Sequence, residues 1–141
     1  MTTNVTTRPT TGSTTLHHVA LRRCGLIARW ALQVVLAAQF ASGGVLKLTG
    51  DAQMVDLFAE IGVGQWLRYL VGVCELAGAA GLLIPRLAAL GALGLTGLMA
   101  GAVVTNVLIG ANPALPAAFL LAAGVVVYGR RAHLRRLVPA R

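Results

Sequence analysis

Of the 141 residues in this chain 57% are hydrophobic and only 11% are charged, and the mean hydropathy of +0.77 excludes an ordinary soluble protein. The net charge of +8 does not predict nucleic-acid binding, because the basic residues cluster at the ends of apolar runs, where they face water and anionic lipid head groups. Four membrane spans of roughly 20 residues each would leave no room for a separate catalytic domain.

The N-terminal segment, residues 1–24, is rich in threonine and poor in apolar side chains, and we predict a disordered tail there. The apolar run that follows is too long for the core of a signal peptide and lacks a clear cleavage site. It predicts an uncleaved first membrane span over residues 26–48.

The next segment predicts a short amphipathic helix that lies in the membrane interface and does not cross it. Apolar residues between positions 54 and 61 repeat at helical spacing on one face only. Asp51 is suited to cap the start of this helix, and Gly62 is suited to end it.

Three further spans are predicted over residues 66–84, 87–108 and 114–128. Pro85 and Arg86 separate the first two of these spans, and a turn cluster at residues 110–113 precedes the last. The predicted fold is all-α: a membrane domain over residues 25–130 with four transmembrane helices, followed by a basic tail over residues 131–141.

The basic residues divide unevenly between the two sides of this layout. One side receives Arg8, Arg22, Arg23, Arg29, Arg86, Arg130, Arg131, Arg135, Arg136 and Arg141. The other side receives Lys47 and Arg68. The positive-inside rule therefore predicts that both termini are cytoplasmic. Arginine far outnumbers lysine, and alanine, glycine and leucine abound, which favours a GC-rich bacterial genome and the bacterial inner membrane.

Small residues recur in the spans, and Gly97 and Gly101 form a GxxxG pattern in the third. Such patterns let helices approach closely in lipid. We predict that they pack the helices of one bundle together, and a homodimer interface stays open as an alternative.

The candidate site residues are the polar groups inside the spans. Glu75 lies nine residues after Trp66, roughly 13 Å along a helix and near the middle of the bilayer. Gln39 has the same depth. An isolated carboxyl group there would be protonated and could form a hydrogen bond with Gln39.

A second layer of polar residues is predicted above Glu75, close to the outer boundary. It comprises Lys47, Arg68, Thr105 and Asn106. Glu75, Lys47, Arg68, Gln39 and Asn106 together predict a ligand-binding pocket that opens outward. The alternative is that Glu75 is a structural hydrogen-bonding residue and that the two cations only reach for the interface.

The sequence assigns no catalytic residue or cofactor, and whether the protein is an enzyme stays open. His17, His18 and His133 flank the spans and have no set of carboxylates or cysteines near them in the sequence. We therefore expect no metal site.

Two stretches resemble the DoxX-like family of small four-helix membrane proteins: "FASGGVLKLTG" and "GVCELAGAAGLLIPRLAALGALGLTGLMAGAVVTNV". The resemblance covers residues 33–130. Its most specific parts are the Gly-x-x-Lys that ends at Lys47, and Glu75 followed by small residues and a pair of leucines.

This resemblance implies a four-helix fold and a link to membrane redox complexes and oxidative-stress responses. It implies an accessory subunit that binds a membrane or membrane-associated protein partner and a small amphipathic, quinone-like ligand, with Lys47 and Glu75 in contact with that ligand. One alternative is a small proton-coupled exporter that uses Glu75, although in the small multidrug-resistance proteins the glutamate lies on the first helix. A quinone-linked enzyme in its own right is a third possibility.

Overall fold

The computed structural model describes residues 12–137, and the side chains of residues 23–131. This part of the chain contains five helices and no strand. The helices are α1 (Gly12–Thr49), α2 (Ala52–Ile61), α3 (Gln65–Leu83), α4 (Ala88–Leu108) and α5 (Ala114–Leu137). All but α2 are long and apolar enough to cross a membrane. The predicted all-α fold, a four-helix membrane bundle with a short extra helix, is confirmed.

The first and last helices extend further than the predicted spans. α1 begins at Gly12, so residues 12–24 are helical where a disordered tail is predicted, and α5 continues to Leu137. The extension of α5 consists largely of arginine, leucine and alanine, which are good helix formers. Residues 1–11 and 138–141, and the three histidine side chains, lie outside the described part.

α2 has the capping residues that the sequence predicts. The Asp51 side chain accepts a hydrogen bond from the backbone N–H of Gln53 at 3.1 Å, which satisfies one free donor at the start of the helix. Gly62 ends the helix with a φ of 76°, and its N–H donates to the carbonyl of Ala59. Phe58 is buried and lies on the apolar face of α2, and α2 packs against α3 and α1.

Consecutive long helices run antiparallel, so the bundle has two distinct ends. At what we call the terminal end, α1 and α5 have their chain termini and the Pro85 turn joins α3 to α4. At the opposite end, which we call the α2 end, lie α2 and the loop that precedes α5. Ala114, the first residue of α5, donates its N–H to the side chain of Asn112 in this loop at 2.8 Å. α3 packs between α1 and α4, α5 packs on α4, and α1 touches α5 much less.

Some glycines bring neighbouring helices into close contact, but the GxxxG pair does not. A Cβ atom at Gly44 would lie 2.9 Å from the carbonyl oxygen of Gly72, and one at Gly81 would lie 3.2 Å from the Cα of Gly91. At Gly97 and Gly101 a Cβ atom would meet no described atom within 4 Å. The prediction of packing inside the bundle is therefore wrong for this pair, while the homodimer alternative stays a prediction.

The terminal end is held together by hydrogen bonds between side chains and free carbonyls. Arg130 on α5 donates to the side-chain oxygen of Gln33 on α1 and to the carbonyl of Pro85, both at 2.9 Å. Gln33 is fully buried and donates to the carbonyl of Leu82 at 3.1 Å. The last carbonyls of a helix have no partner within the helix, so the bond from Gln33 satisfies the end of α3 and fastens it to α1. The bonds from Arg130 fasten α5 to α1 and to the turn that follows α3.

Replacing Arg130 with methionine should lower the stability of the bundle more than the same change at Arg131. Arg130→Met leaves the Gln33 oxygen and the Pro85 carbonyl without their donor, at a cost of about 1–3 kcal/mol. Arg131 is exposed and lies over the Tyr128 ring, so Arg131→Met removes the same charge with a smaller loss. Equilibrium unfolding in detergent measures both, and equal losses would contradict the proposed role of the bonds.

Candidate functional site

Lys47 and Glu75 form a direct ion pair inside the bundle. The Lys47 Nζ atom lies 2.9 Å from Oε2 and 3.1 Å from Oε1 of Glu75. The two side chains are only 14% and 5% exposed. Each charge therefore has a partner where water is scarce, which an isolated carboxylate at this depth would lack.

The direction of side chains on antiparallel helices explains this contact. Side chains of an α-helix lean toward its N-terminus. Lys47 lies near the end of α1 and therefore leans away from the α2 end, toward the middle of the bundle. Glu75 lies on α3, which runs the opposite way, so its side chain leans toward the α2 end. The two side chains thus approach each other although their backbones lie at different depths.

Two adjacent glycines make the ion pair possible. Gly44 allows α1 to approach α3 closely, as described above. Gly43 faces the pair itself: a Cβ atom there would lie 3.3 Å from Glu75 Oε2 and 3.6 Å from Lys47 Nζ. Gly43 is one helical turn before Lys47, and the lysine side chain lies over that turn. Its lack of a side chain leaves room for both charged groups.

The ion pair lies in the wall of a cavity of about 580 Å³ at the α2 end. Such a volume is within the range of small-molecule sites, roughly 300–1,000 Å³. All five helices contribute to its lining, which is mostly apolar. The polar side chains in the lining are Gln39, Ser42, Lys47, Glu75, Thr105 and Asn106. The Phe40 and Phe119 rings, 5.5 Å apart between centroids, join α1 to α5 beside it.

The structure brings Gln39 and Asn106 to the same cavity but does not pair Gln39 with Glu75. Both residues line the cavity together with Lys47 and Glu75. Among the described residues Gln39 forms no hydrogen bond with Glu75, and both carboxylate oxygens accept from Lys47. The lysine reaches Glu75 directly since it leans into the bundle, and it does not extend toward the interface.

Arg68 does not join this cavity, contrary to its place in the predicted pocket. It is buried, and its guanidinium donates to the carbonyl of Lys47 and, at 2.7 Å, to the side chain of Gln65. Arg68 lies near the start of α3 and leans toward the α2 end, away from Glu75. There its positive charge lies at the C-terminus of α1, where the helix dipole favours a cation.

The sequence analysis does not find two parts of the site, Gly43 and the residues of α5. Gly43 looks like any other small residue of the spans, and only its position one turn before a lysine inside a span could have indicated its role. Leu115, Pro116 and Phe119 of α5 also line the cavity, and only the packing of α5 places them there. Within residues 23–131, no three His, Cys, Asp or Glu side chains come together as metal ligands.

Comparison with known families identifies the family of this chain and the residues that match it. The family model described as the DoxX-like family matches residues 31–128, which is more than half of the chain. The chain belongs to the DoxX-like family. The matched region of this DoxX-like protein contains the ion pair and every residue that lines the cavity. The comparisons with curated proteins and with solved structures found no match.

Lys47→Met and Glu75→Gln should each destabilise this DoxX-like protein, and their combination should lose less than the sum. Either single change leaves one buried charge unpaired, whereas the double variant leaves none. We expect a coupling free energy of about 0.5–3 kcal/mol from a double-mutant cycle of unfolding in detergent. Strictly additive losses would show that the pair contributes nothing to folding.

Proposed function

We propose that this DoxX-like protein is an accessory subunit of a membrane redox or stress-response complex. In this proposal it binds a membrane or membrane-associated protein partner and holds a small amphipathic, quinone-like ligand in its cavity. The observation that carries the proposal is a hydrogen-bonded ion pair in the wall of a mostly apolar cavity within a membrane bundle. The redox link itself rests on the family resemblance.

The cavity offers suitable contacts for both parts of such a ligand. Its polar head would meet Lys47 and Glu75, with the amides of Gln39 and Asn106 in the same lining. Its apolar body would lie along side chains such as Phe119. Ionisable residues inside membrane spans commonly mark functional sites, because a purely structural role can be filled by residues that are easier to insert.

We also propose that the protein lies in the bacterial inner membrane with both termini in the cytoplasm. The distribution of basic residues supports this orientation. Lys47 and Arg68, the two basic residues at the α2 end, are engaged in contacts within the protein. Among residues 23–131, the α2 end therefore has no basic side chain that is free of contacts within the protein.

The alternative function, a small proton-coupled exporter, would use the same carboxylate. Glu75 would then have to exchange a proton with its cargo, and the ion pair with Lys47 competes with that step. We therefore place the exporter second. Transport of cationic drugs against a proton gradient in reconstituted vesicles would reverse this order.

The proposed orientation predicts which positions can be labelled from outside intact cells. With Cys24 and Cys74 replaced by serine, Asp56→Cys on the exposed face of α2 should react with a membrane-impermeant maleimide. Pro139→Cys in the C-terminal segment should react only after the cells are permeabilised. Labelling of Pro139→Cys in intact cells would overturn the orientation.

Glu75→Gln and Lys47→Met should both abolish binding of the partner and ligand while the protein still inserts into the membrane. Each variant removes one half of the charged pair and retains a side chain of similar size. Affinity purification in mild detergent, followed by mass spectrometry of bound proteins and lipids, measures the loss.

Glu60→Gln on exposed α2 is the matched control, since it makes the same chemical change outside the cavity and should leave the bound set unchanged. Retention of the full set of bound molecules by a folded Glu75→Gln variant would instead assign the glutamate to a structural role.

A further inference from the structure

The charges that line the cavity sum to zero. Among the described residues of the lining, the charged side chains are Lys47 and Glu75, and they are bonded to each other. The other polar groups in the lining are neutral amides and hydroxyls. A ligand therefore meets paired charges, with no net charge to attract an ionic head.

This balance disfavours a charged ligand. An anion at Lys47 would add a second negative charge beside Glu75, and a cation at Glu75 would add a second positive charge beside Lys47, so in either case one of three buried charges would lack a partner. Unpaired buried charges are strongly unfavourable. An ionic head would thus lose most of what its own contact contributes.

A neutral head can bind while the pair stays intact. The ammonium group of Lys47 has three donors and directs two hydrogen bonds to Glu75, which leaves one donor. The carboxylate can accept about four hydrogen bonds and receives two from Lys47. A head with both an acceptor and a donor matches this spare capacity.

One wall of the cavity is bare backbone. Gly97 and Gly101 of α4 line it, and a Cβ atom at either position would meet no described atom within 4 Å. Gly94, one turn earlier on the same helix, is equally free of neighbours but does not line the cavity. The two lining glycines widen the cavity where side chains would fill it.

We propose that the cavity is selective for uncharged amphipathic molecules with a hydrogen-bond donor and an acceptor in the head group. The head binds at the Lys47–Glu75 pair, and the apolar body lies against the wall formed by Gly97 and Gly101. This inference rests on the proposed ligand site and adds its selectivity: anionic and cationic amphiphiles are rejected by the neutral pair.

Three probes that differ only in the head group test the selectivity. Purified full-length protein in detergent is titrated with tritiated dodecanol, dodecanoate or dodecylammonium in a scintillation proximity assay. Dodecanol should bind saturably and about tenfold or more tightly than either charged probe. Equal or tighter binding of dodecanoate or dodecylammonium would overturn the proposal, as would the absence of saturable dodecanol binding.

Leucine substitutions test the wall. Gly97→Leu fills the cavity and should weaken dodecanol binding about tenfold or more, whereas Gly94→Leu on the same helix should change it less than about twofold. Equal losses of dodecanol binding in Gly97→Leu and Gly94→Leu would show that Gly97 does not form a wall of the binding site. Melting curves verify folding, and Gly101→Leu replaces Gly97→Leu if that variant does not fold.

The partner assay separates this inference from the proposed function. Failure of dodecanol binding, with partner capture still dependent on Glu75, would remove the selectivity and leave the accessory role. Selective dodecanol binding, with partner capture that does not depend on Glu75, would keep the selectivity and remove the role of Glu75 in partner binding.

Discussion

The ion pair between Lys47 and Glu75 determines how α1 and α3 must be arranged. It forms only because α1 and α3 run antiparallel, so that two leaning side chains converge, and because Gly44 and Gly72 let the helices approach closely. Gly43 then provides the space that the charged groups occupy. Removal of any of these conditions would leave two charges in an environment that disfavours each of them alone.

The two ends of the bundle solve the problem of buried polar groups differently. At the terminal end, Gln33 and Arg130 donate to the carbonyls of Leu82 and Pro85, and Arg130 also donates to Gln33, which fastens the helices together. Arg130 Nε is buried there with no hydrogen-bond partner among the described residues. At the α2 end, the ion pair satisfies itself and borders open space. The weak contact between α1 and α5 allows this space, and α2 covers part of it. The molecule thus has one closed half and one half with room for a ligand.

The sequence predicts the helices well and the direction of the long side chains poorly. The long helices, the Pro85 turn and the caps of α2 follow from local features of the sequence, and all of them are present in the structure. The depth of Glu75 follows from counting residues, but counting does not show that Lys47 leans toward it and Arg68 leans away. The role of Arg130 is hidden for the same reason: the sequence places it among the basic residues of the cytoplasmic side, whereas its side chain reaches back into the bundle.

The position of the ion pair in the chain has a consequence for how the protein enters the membrane. Lys47 and Glu75 belong to the first two spans, so both are synthesised before α4 and α5. A charged residue at the centre of a helix that is inserted alone opposes transfer into lipid by about 2.5–3.5 kcal/mol, so Glu75 carries most of this cost and Lys47, near the end of α1, carries less. As a helical hairpin, α1 and α3 carry two opposite charges that neutralise each other, so this pair of helices can leave the translocon without waiting for the rest of the chain.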